Sequence, residues 1–235
     1  MSIFYEPNIV TTLSLNEEES RHCVKVLRHA LGDEIEIVDG KGGYYKTLIT
    51  KANEKKCEVR IVEQTHESPS KPFYIHLGIA PTKNADRMEW MVEKCTEVGI
   101  DEISFFESRY SERRVQKLDR LEKIAVSAMK QSGRFFLPKL NELVPFSVLV
   151  KSAFDGQKFI AHLEESERKN LWQTAQLHNR YFILIGPEGD FSPKEIQRAK
   201  EQGFASVSLG ESRLRTETAG LVSCMMLNFL NRSPQ

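Results

Sequence analysis

The fold is decided by a stretch near the C-terminal end, Leu209-Gly-Glu-Ser-Arg-Leu-Arg-Thr-Glu-Thr-Ala219. A strand pattern from Val207 leads into this stretch, and an apolar helix pattern follows it. A second element of the same kind lies upstream, Tyr181-Phe-Ile-Leu-Ile-Gly186-Pro-Glu-Gly-Asp-Phe191. Two glycine-bearing loops that follow buried strands predict a ligand at the carboxyl edge of a parallel sheet.

The segments on either side predict an α/β domain over residues 71–235. Apolar strand patterns alternate with helix patterns, and such alternation indicates a mainly parallel sheet. The predicted strands are 73–80, 102–106, 159–163, 181–185 and 205–209. One predicted helix ends at Gly99, and another begins with the capping box Ser192-Pro-Lys-Glu195.

Residues 1–70 follow a different pattern and are expected to form a small β-barrel. Polar and apolar residues alternate over 33–38, 44–50 and 57–62, as in half-buried strands joined by tight turns. Asn16, followed by three glutamates, predicts a helix start before these strands. The Pro- and Ser-rich segment 67–72 is the best linker candidate, so the domain boundary is placed there.

Composition excludes several classes of protein. The chain has 235 residues, of which 40% are hydrophobic and 28% are charged, which is ordinary for a soluble globular protein. No apolar run approaches the roughly 18 residues of a membrane span, and the N-terminus lacks the pattern of a signal peptide. Four isolated cysteines without a CxxC motif predict neither zinc nor disulfides. We therefore expect a cytoplasmic protein with reduced thiols, no metal and no membrane contact.

The net charge is zero but is unevenly distributed. Residues 109–139 contain nine Lys/Arg and three Asp/Glu, a local charge of +6. A basic segment in a neutral protein favours a polyanionic partner, although a solvated helix face would give the same pattern.

The loop Gly186-Pro-Glu-Gly-Asp190 matches neither a dinucleotide fingerprint nor a P-loop. Its carboxylates, Glu188 and Asp190, would repel phosphate and favour a ligand with positive charge or hydroxyl and amine donors. S-adenosylmethionine meets these requirements, but a plain tight turn is the alternative. In the second loop, Thr216 and Glu217 are explained by a helix start, which leaves Arg213 and Arg215 without a structural reason.

Several motifs together resemble one family. They are Ile185-Gly-Pro-Glu-Gly189, Leu209-Gly210, Leu214-Arg-Thr-Glu-Thr-Ala219, His22 with Val26-Leu-Arg28, Glu93-Lys-Cys-Thr-Glu-Val-Gly99 and Gln131-Ser-Gly-Arg134. In this order over the whole chain, they resemble the RsmE family, the 16S rRNA uridine-N3 methyltransferases of the SPOUT class. The resemblance implies a PUA-like β-barrel followed by an α/β domain with a mainly parallel sheet and a trefoil knot. It also implies a homodimer that acts on 16S rRNA, within the small ribosomal subunit.

The resemblance places the S-adenosylmethionine pocket at three strand ends. The residues implied are His162, Leu163, Ile185, Gly186, Pro187, Glu188, Gly189, Leu209, Gly210, Leu214, Arg215, Thr216 and Thr218. Two departures stand out: this chain has Asp190 where the family often has a second Gly, and Glu211-Ser212-Arg213 where the family often has a Pro-Arg pair.

The chemistry of the implied reaction assigns further roles. Uridine N3 must lose a proton before it attacks, so an arginine that stabilises the anionic base is expected, with Arg134 and Arg215 as candidates. Glu217 is a candidate base, with a helix-start role as its alternative. Phosphate contacts are expected from Arg28, Lys83, Arg87, Arg109, Arg113, Arg114 and Arg134. Two other functions stay open: methylation of a tRNA ribose hydroxyl, and catalytically silent RNA binding.

Overall fold

The structure, a computed structural model, describes residues 3–66, 71–113, 115–163 and 169–232. The chain divides into two compact units. The first unit consists of Met1–Ser70 with Val126–Leu137, and the second of Lys71–Ala125 with Pro138–Gln235. The first unit therefore includes a segment from far beyond the predicted boundary at residue 70. Most of the predicted linker, residues 67–70, lies outside the described residues.

Eleven strands and eight α-helices occur in the described part of the chain. The strands are β1 (Ile3–Tyr5), β2 (Glu34–Val38), β3 (Gly43–Lys51), β4 (Glu58–His66), β5 (Tyr74–Ile79), β6 (Glu102–Glu107), β7 (Lys139–Pro145), β8 (Gln157–Ala161), β9 (Lys169–Asn170), β10 (Arg180–Ile185) and β11 (Ala205–Ser208). The helices are α1 (Ile9–Thr12), α2 (Glu17–Arg21), α3 (Ala85–Val98), α4 (Leu118–Gln131), α5 (Phe146–Leu149), α6 (Leu171–Thr174), α7 (Pro193–Glu201) and α8 (Thr216–Arg232). A π-helical turn, His22–Val26, follows α2. None of these helices is both long and apolar enough to cross a membrane.

The first unit is built on a four-stranded sheet in the order β1-β2-β3-β4. The pair β1–β2 is parallel and the other two pairs are antiparallel. The segment 13–15, which follows β1 and α1, bonds to the opposite edge of the sheet at β4. Leu15 donates its N–H to the Cys57 carbonyl and Val59 donates to the Leu13 carbonyl, both at 2.9 Å. These bonds wrap the sheet towards the predicted barrel. Asn16 caps α2 by accepting the Glu19 N–H, as the sequence predicts.

The segment Val126–Leu137 belongs to the first unit through backbone and side-chain contacts. Gly42 donates its N–H to the Phe135 carbonyl at 2.9 Å, and the Phe135 ring stacks on Tyr44 with centroids 5.2 Å apart. Lys130, in the last turn of α4, pairs with the buried carboxylate of Glu19 at 2.5 Å.

The second unit is built on a seven-stranded sheet in the order β7-β6-β5-β10-β8-β11-β9. Every described pair of neighbouring strands in this sheet is parallel. The five predicted strands correspond to β5, β6, β8, β10 and β11, which confirms the α/β class. The strands β7 and β9 were not predicted, because β7 mixes polar and apolar residues at a sheet edge and β9 has only two residues. The trefoil knot stays a prediction.

Local signals account for the ends of two helices. Gly99 ends α3 with a left-handed φ of 106° that favours glycine. Ser192 donates its backbone N–H to the Glu195 carboxylate at 2.9 Å, which completes the predicted capping box of α7. Because the strands are parallel, the loops after β5, β6, β8, β10 and β11 all lie at one edge of the sheet.

Candidate active site

A cavity of about 340 Å³ lies at the carboxyl edge of the second unit's sheet. The loops that follow β8, β10 and β11 line it, and the first turn of α8 completes the wall. Small-molecule sites commonly start at a volume of about 300 Å³. We call this space the loop cavity. The two glycine-bearing loops that the sequence singled out therefore meet at one site.

Eleven of the thirteen residues predicted to bind the cofactor line the loop cavity. They are His162, Leu163, Ile185, Gly186, Pro187, Glu188, Leu209, Gly210, Leu214, Arg215 and Thr216. Gly189 and Thr218 are not among the lining residues. A Cβ at Gly189 would lie 2.9 Å from the Tyr110 Cβ, so this glycine allows a close approach to the loop after β6. Thr218 is half-buried in the first turn of α8.

Eight further residues line the loop cavity without having been predicted as ligands. They are Ala161, Asp190, Val207, Ser208, Glu211, Ser212, Arg213 and Ala219. All but Val207 lie next to a predicted ligand or within the quoted stretch, and Val207 lies two positions before Leu209, so the available signal was their position at a strand end. Asp190 and Glu211–Arg213 are the two departures noted in the sequence.

Three carboxylates on the segment after β10 each accept a backbone N–H from a different neighbouring loop. Glu188 accepts from Lys83 at 3.1 Å, Asp190 from Leu163 at 2.8 Å, and Glu195 from Arg109 at 2.9 Å. The donors follow β5, β8 and β6 respectively. The segment therefore holds three other loops in place, a role that the sequence did not indicate.

Gly186 has a steric reason to be glycine. A Cβ at this position would lie 3.1 Å from two ring atoms of Phe191, which is buried in the same loop. The ring of Phe191 stacks on Phe106, with centroids 5.9 Å apart. The loop after β10 is therefore folded tightly over an aromatic cluster while it lines the cavity.

His162 is a buried residue that joins two strands of the site. It is 4% exposed, and its Nε2 lies 2.9 Å from the Ser206 hydroxyl on β11. This bond fixes the end of β8 beside β11, where both strands reach the loop cavity.

Arg215 and Glu217 occupy different environments although both flank the start of α8. Arg215 lines the loop cavity with an exposed side chain. Glu217 is 7% exposed, and its Oε1 lies 3.8 Å from the Nε of Arg87 on α3. Its Oε2 is buried and has no hydrogen-bond partner among the described residues.

The predicted RNA-contact residues are distributed over both units. In the second unit, Lys83 pairs with Glu112 at 2.9 Å, a hydrogen bond that raises the pKa of Lys83. Arg113 donates from Nε to the Val115 carbonyl at 2.8 Å, and the Arg109 guanidinium lies 5.7 Å from the centroid of the Tyr110 ring.

The other RNA-contact candidates either lie in the first unit or are not among the described residues. Arg28 has a left-handed φ of 61°, and Arg134 follows α4 with its N–H bonded to the Met129 carbonyl at 3.0 Å. Arg114 lies outside the described residues. Within the described ranges, no group of three His, Cys, Asp or Glu residues could hold a metal ion.

Comparisons with known proteins identify relatives of both units. A family model described as an RNA methyltransferase domain matches residues 69–228, and a model described as an RNA methyltransferase PUA domain matches residues 15–62. The chain is 30% identical over 236 residues to the ribosomal RNA small subunit methyltransferase E of Aquifex aeolicus, covering 96% of this chain and 99% of the relative. It is 27% identical over 231 residues to the protein of that name from Bacillus subtilis, covering 93% and 90%.

Solved structures agree with these relatives. A probable rRNA-methyltransferase from Porphyromonas gingivalis is 41% identical and superposes with a TM-score of 0.92, covering 98% of both chains. A ribosomal RNA small subunit methyltransferase E from Neisseria gonorrhoeae, bound to S-adenosylmethionine, is 26% identical with a TM-score of 0.85 and the same coverage.

Proposed function

This chain belongs to the RNA methyltransferase family that contains ribosomal RNA small subunit methyltransferase E, and from that premise we propose its reaction. The reaction is transfer of the methyl group of S-adenosylmethionine to N3 of a specific uridine in 16S rRNA. The observation that carries the proposal is the convergence of three loops on one cavity, in a fold whose close structural relative from Neisseria gonorrhoeae binds S-adenosylmethionine.

The loop cavity suits the methyl donor in size and in the groups that it offers. Its volume of about 340 Å³ is enough for a folded molecule of this size. Its lining includes His162–Leu163, Ile185–Glu188 and Leu209–Gly210, at the ends of three strands. Backbone N–H and C=O groups can bind the adenine and ribose.

Catalysis requires that the N3 proton leaves and that the resulting anion is stabilised. The negative charge spreads over two carbonyl oxygens, so a fixed guanidinium beside them lowers the barrier. Arg215 is a candidate because it lines the loop cavity with an exposed side chain. Arg134 is a candidate only because the segment Gln131-Ser-Gly-Arg134 resembles a motif of the family. Holding N3 in line with the sulfonium methyl group supplies much of the remaining acceleration.

The surroundings of Glu217 favour its helix-start role over the role of a base. The carboxylate is buried and lies 3.8 Å from Arg87, so it ties α3 to the first turn of α8. A negative charge in the first turn also complements the helix dipole. Since Arg87 faces Glu217, its role as a phosphate contact is the least supported among the RNA-contact candidates.

RNA binding is proposed for the first unit, which contains the PUA-domain match, and for Arg28, Lys83, Arg109, Arg113, Arg114 and Arg134. Phosphate contacts of this kind position the substrate without reading its sequence. The small ribosomal subunit is the proposed setting, because the relatives carry that term in their names.

A homodimer is proposed from the surface of α8. Val222, Met225, Met226 and Phe229 lie at helical spacing on one stripe, and Phe229 is 64% exposed. The opposite side of the helix, with Cys224 and Leu227, is buried in the second unit. Val222, Met225 and Met226 are half-buried, so the stripe is only partly covered by this chain and suits a second copy of it.

Two measurements test the proposed function. Calorimetry with S-adenosylmethionine separates an enzyme from a silent RNA binder, because only the enzyme requires this cofactor. Mass analysis of nucleosides from 16S rRNA of a strain that lacks the gene identifies the target. Loss of 3-methyluridine that the wild-type gene restores supports the proposal, whereas retained 3-methyluridine contradicts it.

Arg134→Ala tests the arginine assigned to the base. We expect the affinity for S-adenosylmethionine to stay within about twofold, while the methylation rate falls by about 100-fold, as when one oxyanion donor is removed. Arg60→Ala removes an exposed arginine from the same unit and is the control. Equal rates for Arg134→Ala and Arg60→Ala would exclude Arg134 from catalysis.

A further inference from the structure

Asp190 lies in an unusual backbone conformation at the rim of the loop cavity. Its φ is 62°, in the left-handed region that favours glycine. A residue with a side chain is disfavoured there unless the side chain makes contacts that offset the strain. Asp190 is also one of the two positions at which this chain departs from the family pattern.

Both carboxylate oxygens of Asp190 accept backbone N–H groups. Oδ1 accepts from Phe191 at 2.8 Å, which holds the residue's own loop. Oδ2 accepts from Leu163 at 2.8 Å, which joins the loop after β10 to the loop after β8. Asp190 and Leu163 both line the loop cavity, so this second bond connects two walls of the same site.

We propose that Asp190 is a positioning residue for the methyl donor: its carboxylate holds the Leu163 backbone, and thereby sets the distance between two of the three loops that bind S-adenosylmethionine. The inference rests on the proposed function for the identity of the ligand. Glu188 and Glu195 also accept N–H groups from neighbouring loops, but only the Asp190 bond joins two loops that both line the loop cavity.

The proposed role differs from a direct electrostatic one. The Asp190 carboxylate could instead attract the sulfonium of S-adenosylmethionine, which S-adenosylhomocysteine lacks. A positioning role affects both ligands equally, because it acts on the shape of the cavity. A direct charge effect weakens only the sulfonium compound. The ratio of the two affinities therefore separates the two roles.

The experiment compares three variants of the full-length protein. Asp190→Gly accepts the left-handed backbone but removes both acceptor oxygens. Asp190→Asn removes the charge and keeps one acceptor oxygen, which can accept the Leu163 N–H while the bond from Phe191 within the same loop is lost. Glu195→Gln removes a carboxylate from the same segment at a residue that does not line the loop cavity, and serves as the control. The measurements are Kd for S-adenosylmethionine and S-adenosylhomocysteine, amide exchange at Leu163, and the methylation rate below KM and at saturating cofactor.

We expect Asp190→Gly to raise both Kd values about tenfold, the effect of losing one hydrogen bond to a charged group. Exchange at the Leu163 amide should accelerate in this variant alone, because its acceptor is gone. Asp190→Asn and Glu195→Gln should bind both ligands within about twofold of the wild type. The rate of Asp190→Gly should fall by more at a cofactor concentration below KM than at saturation, because excess ligand overcomes a loss of affinity.

Two results would overturn the inference. One is wild-type affinity in Asp190→Gly, which would mean that the bond to Leu163 does not shape the cavity. The other is weaker binding of S-adenosylmethionine but not of S-adenosylhomocysteine in Asp190→Asn, which would assign a direct charge effect. If the wild-type protein binds neither ligand, the proposed function fails instead, and that outcome is distinct from both.

Discussion

Protonation of His76 provides a quantitative test of how the second unit is stabilised. The imidazole is 7% exposed and stacks on Phe182, with centroids 4.1 Å apart and planes 4° apart. Its Nε2 lies 2.7 Å from the Ser104 hydroxyl. Burial lowers the pKa of His76 from 6.5 to about 4, although Glu102, whose Oε2 lies 3.9 Å from Nδ1, favours the charged form.

The direction of the pH effect follows from the lowered pKa. The unfolded chain takes up this proton near pH 6.5, whereas the folded chain resists it until about pH 4. The stability that depends on neutral His76 is therefore complete above pH 6.5 and is lost as the pH falls towards 4. Integration between the two pKa values gives a loss of about 2 kcal/mol in the free energy of unfolding from pH 7 to pH 5.

Glu102 does not obscure this measurement. Burial acts to raise the pKa of Glu102, but the neighbouring His76 and hydrogen bonds from Tyr74, Asn141 and Lys139 lower it to about 2. Its contribution is complete above the usual carboxyl pKa of 4.5 and is lost progressively as the pH falls from there to about 2. The interval from pH 7 to pH 5 therefore isolates the imidazole within this cluster.

The assay is urea unfolding followed by tryptophan fluorescence. Both tryptophans, Trp90 and Trp172, lie in the second unit with His76, so the signal reports that unit. We expect His76→Gln to lose about 2 kcal/mol less stability than the wild type between pH 7 and pH 5, because glutamine does not titrate. His66→Gln, at an exposed histidine of the first unit, is the control. Equal losses in the wild type and His76→Gln would refute the argument.

Two other predictions follow from close packing and surface exposure. Gly189→Ala places a Cβ 2.9 Å from the Tyr110 Cβ, so we expect the free energy of unfolding, measured with urea, to fall by about 1–3 kcal/mol. An unchanged urea midpoint would show that the loop after β6 moves to accommodate the methyl group without a loss of stability. Phe229→Glu introduces a charge on the exposed stripe of α8, so light scattering should find a monomer. Val148→Glu, at a side chain that is 57% exposed on α5, should leave the mass unchanged, and a dimer in both variants would exclude this stripe as the interface.

Local sequence patterns were sufficient for the elements whose causes are local. The Ser192–Glu195 capping box and Gly99 each depend on contacts within a few residues, so the ends that they define could be read directly. The strands that approach the site could also be predicted, since strands buried on both faces form continuous apolar runs. This accounts for β5 and β10, whose side chains are mostly fully buried.

Features that depend on distant contacts could not be predicted in this way. The segment Val126–Leu137 joins the first unit through bonds to residues about 90 positions earlier, as from Gly42 to Phe135. The cysteines, isolated in the sequence, come together in two pairs inside the fold. Interaction with the Cys57 thiol, followed by burial, raises the pKa of Cys23, and interaction with Cys224 raises the pKa of Cys95. No spacing rule relates these positions, because the fold alone brings them together.

The carboxylates of the loop after β10 have a second role that the sequence does not indicate. The sequence predicts that Glu188 and Asp190 favour a positively charged ligand. Both line the loop cavity, yet each uses an oxygen to hold the backbone of a neighbouring loop. A carboxylate has about four acceptor positions, so these bonds leave its charge and further acceptor positions beside the cavity. The sequence supplies the charge and the strand end, whereas the choice between holding a loop and binding a ligand depends on which N–H groups the parallel sheet brings within reach.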